Sequence, residues 1–154
     1  MAARVLVCVP VGSSELALVT SGSDVAGPLQ VFAVTPELLD GFGLAPTDDE
    51  EAEFAALLLA GLWSLREYGR RLVLTAVVDD SELTDGPERS NGGRLLARLP
   101  ASRVEAWFSD DRDAPTAQVS AAIAGLDLDQ AWDHPAVQAL HADHDLLWHS
   151  VVEL

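Results

Sequence analysis

The sequence predicts an α/β or α+β fold: a single sheet of about four to five strands with helices packed on it and one long central helix. Three observations carry this. Short β-branched runs alternate with helical patterns, the stretch from Phe54 to Tyr68 is apolar nearly all round, and a length of 154 residues suits one core. Residues 1–154 are therefore expected to form a single globular domain.

From the N-terminus, "RVLVCVPV" (Arg4–Val11) is a β-branched run closed by Pro10 and Gly12, as a buried first strand should be. "SSELALVTSGSDV" places Leu16, Val19 and Thr20 at helical spacing, and Gly27 with Pro28 is expected to break the helix. "QVFAVT" (Gln30–Thr35) reads as the second strand, and Thr35 before Pro36 is a good N-cap for a brief helix over "PELLDGF".

The long helix begins at "TDDEEAEF". Thr47 and Glu50 have capping-box spacing, and Asp48, Asp49, Glu50 and Glu51 lie where the positive end of the helix dipole favours carboxylates. The pattern ends at "GRR". Arg66, Arg70 and Arg71 there would satisfy the negative end of the dipole and pair with nearby acids. "RLVLTAVV" (Arg71–Val78) is the third strand, "TDGPERSNGG" (Thr84–Gly93) has the composition of a mobile loop, and "RLLARL" and "RVEAWFS" supply two more strands. Pro115 opens a helix running to about Gly125, and Pro135 opens a last helix that continues to the C-terminus.

Charge bounds the function. Twenty-five acidic residues face nine basic ones, all arginine, for a formal net charge of −16. A protein that binds DNA, RNA or an anionic membrane on its own needs a cationic footprint, so these partners are disfavoured. Two readings of this acidity compete: a solvated surface that keeps the protein soluble, or a surface complementary to a basic protein partner. Cys8 is the single cysteine, which leaves no disulfide, and no apolar run reaches the length of a membrane span, so a cytoplasmic protein is expected.

Two constellations carry candidate chemistry. "TAVVDDSEL" and "AWFSDDRDAP" each end a strand in aspartates, and in an open α/β sheet such ends converge on a ligand. Asp79, Asp80, Asp110 and Asp111, with Asp113 beside them, would then hold Mg²⁺ or Mn²⁺ for a hydrolase, although aspartates also cap following helices. The second constellation is "HPAVQALHADHDLLWH" (His134–His149), which contains all four histidines. On a single helix His144 sits in an apolar stripe with Val137, Leu140, Leu147, Val151 and Leu154, and His149 lies about 140° away. His141, His144 and Asp145 are the alternative metal ligands, with a fourth needed from elsewhere. A neutral histidine hydrogen-bonded to one protein acceptor is the simpler account of His144, and Asp133 with Pro135 explains His134 as a helix boundary. Cys8 inside its strand is a small core residue.

In order along the chain, "VPV", "FAVTPELLD", "DDEEAEFAALL", the aspartates around Asp110 and "DHDLLW" resemble the actinobacterial family of small acidic proteins known as domain-of-unknown-function 6912. The resemblance implies one cytoplasmic domain and adds no mechanism. Family members commonly carry tyrosine where this chain has His149, which sets His149 apart from the functional candidates.

The expected function is that of an accessory or regulatory protein binding a basic partner without catalysis and without a cofactor. Asp48, Asp49, Glu50, Glu51 and Trp148 are the expected binding residues. The alternative is the metal-dependent hydrolase built on Asp79, Asp80, Asp110 and Asp111.

Overall fold

A computed structural model describes residues 3–151. Seven strands form one sheet in the order β4-β5-β2-β1-β3-β6-β7, where β1 is Arg4–Pro10, β2 Val25–Ala33, β3 Leu72–Asp79, β4 Leu83–Asp85, β5 Gly93–Leu99, β6 Val104–Ser109 and β7 Leu147–Ser150. Every neighbouring pair is antiparallel. The helices are α1 (Ser13–Thr20), α2 (Pro36–Phe42), α3 (Asp49–Tyr68), α4 (Thr116–Ala122), α5 (Leu128–Asp133) and α6 (Pro135–Asp143).

The apolar runs of β1 and β3 are explained by their central places, since a strand covered on both faces has no solvent side to make polar. Side chains alternate between faces, so Cys8 and Val73 join the core under α3, while Val7, Val9, Leu72 and Leu74 join a second core on the opposite face. Helix α3 lies across the first face with Leu59, Leu62 and Leu65 fully buried, each such leucine contributing about 1.5–3 kcal/mol. Gly69 ends it in the left-handed conformation at φ 85°, which only glycine adopts without cost. Thr35 caps α2 as its spacing predicts, its hydroxyl accepting from the Leu38 amide at 3.1 Å.

The fold is α+β, and the expectation of four to five strands is corrected to seven. Two strands lie in segments with no strand pattern. One, β4, takes Thr84 and Asp85 from the expected loop Thr84–Gly93 into an edge strand, Gly93 begins β5, and the segment between holds a tight helical turn at Arg89–Asn91. The other, β7, lies in the histidine segment, where α6 stops at Asp143 and the chain turns to pair with β6. His144 caps α6 outside the helix, so the apolar stripe through Leu147 and Val151 does not form, and Leu154 lies outside the described residues.

Smaller corrections have local causes. Gly27 and Pro28 lie inside β2, at a register shift between Ala26 and Leu29 that accommodates them as an irregularity, not a break. A Cβ at Gly27 would collide with the Ala97 and Leu96 carbonyls, so glycine is required there. The N-cap of α3 is Asp48, and its carboxylate folds back to accept from the Ala45 amide at 2.8 Å, so the Thr47–Glu50 capping box is not made. Among the described residues no helix is long and apolar enough to cross a membrane.

Candidate functional site

Because β3 and β6 are antiparallel, with Leu72 opposite Ser109, the residue before β3 faces the residues after β6. That places Arg71 against Asp110. The Arg71 amide donates to Asp110 Oδ2 at 2.7 Å, and its Nε donates to Oδ1 at 2.6 Å. Arg71 is only 1% exposed, although a guanidinium is seldom buried at all. Its Nη2 donates to the His144 carbonyl at 2.8 Å, which ties the end of α6 to the start of β3. The His144 ring completes the link, with Nδ1 2.9 Å from Asp111 Oδ2. Asp111 also accepts from the Asp113 amide at 2.8 Å through Oδ1, so the loop after β6 is held from both sides.

One member of each sequence-derived constellation therefore meets the other. The hydrogen bond from His144 holds the Asp111 carboxyl below the usual carboxylate range, with the Asp113 amide adding to the effect. A cavity of about 390 Å³ opens beside this cluster, lined by Arg70, Arg71, Trp107, Ser109, Asp110 and Thr116. At its margin Ser109 Oγ is 2.8 Å from His149 Nε2, and the His149 ring stacks on Trp107 at 3.9 Å. Asp110 is committed to Arg71 and Asp111 to His144. The cluster is a lock joining three chain segments, with each carboxylate hydrogen-bonded to a backbone amide and to a side chain.

The expected hydrolase carboxylates are not brought together. Asp79 ends β3 opposite Arg4, at the far end of the strand from Arg71 and Asp110, and a strand of this length spans roughly 23 Å. Asp80 faces Arg94 at 3.7 Å. Carboxyl ends of adjacent strands converge only in parallel sheets, and this sheet is antiparallel throughout. The alternative ligands separate as well. His141 lies on α6 against Trp132, at 5.1 Å between rings, while His144 turns to Asp111 and Asp145 is exposed. Among the described residues no group of three or more histidine, cysteine or acidic side chains is placed to hold a metal ion.

The remaining histidines have structural surroundings. His134 Nδ1 accepts from the Ala136 amide at 3.0 Å and caps α6, as its position beside Pro135 predicts. Burial, and then the charge of Arg71, press the His141 pKa down to about 4, so that ring is neutral; its Nε2 has no hydrogen-bond partner among the described residues. Cys8 is buried and its thiol is pushed up to about 12 by desolvation and then by Glu53, which removes it as a nucleophile. The arginines after α3 do more than balance a dipole. Arg66 lies 4.4 Å over Trp63 and reaches the Leu126 carbonyl, Arg70 bonds the Ser13 hydroxyl, and Arg71 is the buried anchor.

The expected binding residues lie on two separate surfaces. Asp49, Glu50 and Glu51 are exposed at the start of α3, with Asp48 half-buried beside them, and none of the four forms an ion pair among the described residues. Trp148 is 60% exposed on β7, at the edge of the sheet. Sequence reasoning missed Phe54, which is 53% exposed one turn beyond the acidic start of α3. Its signal was an aromatic placed among Glu50, Glu51 and Glu53, where an amphipathic helix would put a polar residue.

No curated protein and no solved structure matches the chain. A family model described as a family of unknown function (DUF6912) matches residues 5–154, and the chain belongs to that family.

Proposed function

We propose that this protein is a cytoplasmic, non-catalytic accessory or regulatory protein that engages a basic protein partner through the acidic start of α3. The observation that carries this is the run Asp48, Asp49, Glu50 and Glu51. It is largely exposed and has no ion pair among the described residues, although arginines elsewhere are drawn to carboxylates: Arg89 to Glu37 and Asp85, Arg94 to Asp80 and Asp85, Arg98 to Asp24. Negative charge left uncompensated in a chain of net charge −16 attracts and orients a cationic surface.

The test is salt-dependent retention on the immobilised full chain, compared with a variant carrying Asp49→Asn, Glu50→Gln and Glu51→Gln. Basic proteins from the source cytosol should be held at low salt, released as salt rises, and lost on the variant. Equal retention by both proteins would contradict the proposal.

A further inference from the structure

Three depressions run side by side across the first half of α3. The first, about 300 Å³, lies between Phe42 and Trp132 on one side and Ser90 and Asn91 on the other, with Asp129 and Asp133 at its mouth. The second, about 250 Å³, shares Phe42 and Trp132 with the first, and is completed by Leu44, Leu58, Phe54 and Glu51. The third, about 310 Å³, shares Phe54 with the second and continues over Leu57 to Phe108 and Thr75, with Glu50 and Glu53 at its edge. Phe42 and Trp132 stand edge to face at 5.2 Å, forming a fixed wall between the first two.

We infer that these depressions form one groove for an arginine-bearing amphipathic segment of a partner protein. The inference rests on the proposed function and specifies the partner. Its floor is aromatic and aliphatic, each part of its rim carries at least one carboxylate, and no arginine lines any of the three depressions. The cavity beside the Arg71 lock differs on this point, being lined by two arginines. An apolar floor alone would suit many occupants, and an acidic rim alone would be a solvated surface. Together they select a segment that sets apolar side chains into the floor and cations on the rim, as helix-in-groove recognition does. Asp129 and Asp133 line the same depression as Phe42 and Trp132. Asp129 Oδ1 accepts from the Asn91 side chain at 3.0 Å, which fixes that carboxylate in place, and together the acids and rings offer a guanidinium both ion pairing and cation–π contact. A second copy of this chain is a poor occupant, because it would bring the same negative charge to the groove.

Fluorescence anisotropy on the full chain at low ionic strength tests this with two labelled peptides of equal positive charge. One sets leucine and arginine at helical spacing; the other is oligo-arginine with no apolar residue. The variants are Phe54→Ser, at a half-exposed position that the core does not depend on, and Asp129→Asn with Asp133→Asn. The leucine–arginine peptide should bind more tightly, and Phe54→Ser should weaken it roughly tenfold while changing oligo-arginine binding less than about twofold. The aspartate variant should weaken the leucine–arginine peptide several-fold. If either variant binds that peptide as the parent does, the groove is wrong. In that event, oligo-arginine binding that is lost when Asp49, Glu50 and Glu51 are neutralised leaves the acidic surface standing. Absence of binding by both peptides removes the groove and the proposed function together.

Discussion

Arg71 and Asp110 form a nearly solvent-free ion pair, 2.6 Å from Nε to Oδ1, between the residue that precedes one central strand and the residue that follows its neighbour. The guanidinium also holds the carbonyl of His144, the residue that caps the C-terminus of α6. One side chain thus fixes β3, the loop after β6 and the direction in which the chain leaves α6.

Removing one partner of a buried pair strands the other charge. Asp110→Ala should destabilise the protein by about 3–5 kcal/mol, measured by urea unfolding, whereas Arg71→Met combined with Asp110→Leu should cost clearly less. Equal losses for the single and double variants would show that the pair contributes by attraction and not through the penalty of an unpaired charge.

Stability should fall on acidification in two stages. His141 is neutral in the fold with a pKa of about 4, while the unfolded ring titrates near 6.5, so between these values the unfolded chain binds the extra proton and stability drops as pH falls. Asp111 has the opposite origin, a carboxyl held below its usual range by His144. Its stabilising effect is present above about pH 4 and is lost as the pH falls further, through its lowered pKa. Replacing His141, whose Nε2 has no partner among the described residues, with leucine should flatten the first stage and leave the second. Unfolding curves for both proteins across the pH range from about 8 down to below 4 measure this.

Gly61 lies buried in the middle of α3, where glycine costs about 1 kcal/mol relative to alanine. A Cβ there would meet Arg71 Cδ and Leu146 Cδ1 at 3.5 Å, an ordinary contact. Gly61→Ala should raise stability by roughly 0.5–1 kcal/mol in the same unfolding assay. A loss would mean that α3 and the Arg71 side chain are packed too closely to give by a few tenths of an ångström.

Elements fixed by local chemistry were legible in the sequence. Thr35 before Pro36 marked the start of α2, the apolar run of β1 announced a strand covered on both faces, and Pro135 after His134 marked the start of α6. The end of α6 was not legible, because no glycine follows Asp143 and the helical stripe continues through Leu147 and Val151. What stops the helix comes from distant residues: Arg71 takes the His144 carbonyl and Asp111 takes its ring.

The site suffered from the same limit. Asp110 and Asp111 were visible as strand-end carboxylates, but their partners depend on strand direction, which the alternation of strands and helices did not reveal. In an antiparallel sheet Asp79 goes to one end and Asp110 to the other, where Asp110 pairs with Arg71 and Asp111 with His144. The acidic start of α3 was legible as charge, whereas the groove beside it needs Phe42, Phe54 and Trp132 brought together from α2, α3 and α5.

The most direct measurement is an amide and indole NMR titration of the full chain with the leucine–arginine peptide. The largest shifts should fall on Glu51, Phe54 and the Trp132 indole, and they should disappear at high salt. Shifts centred on Trp107 and Arg71, or none along α3, would contradict the assignment of the acidic groove as the partner-binding surface.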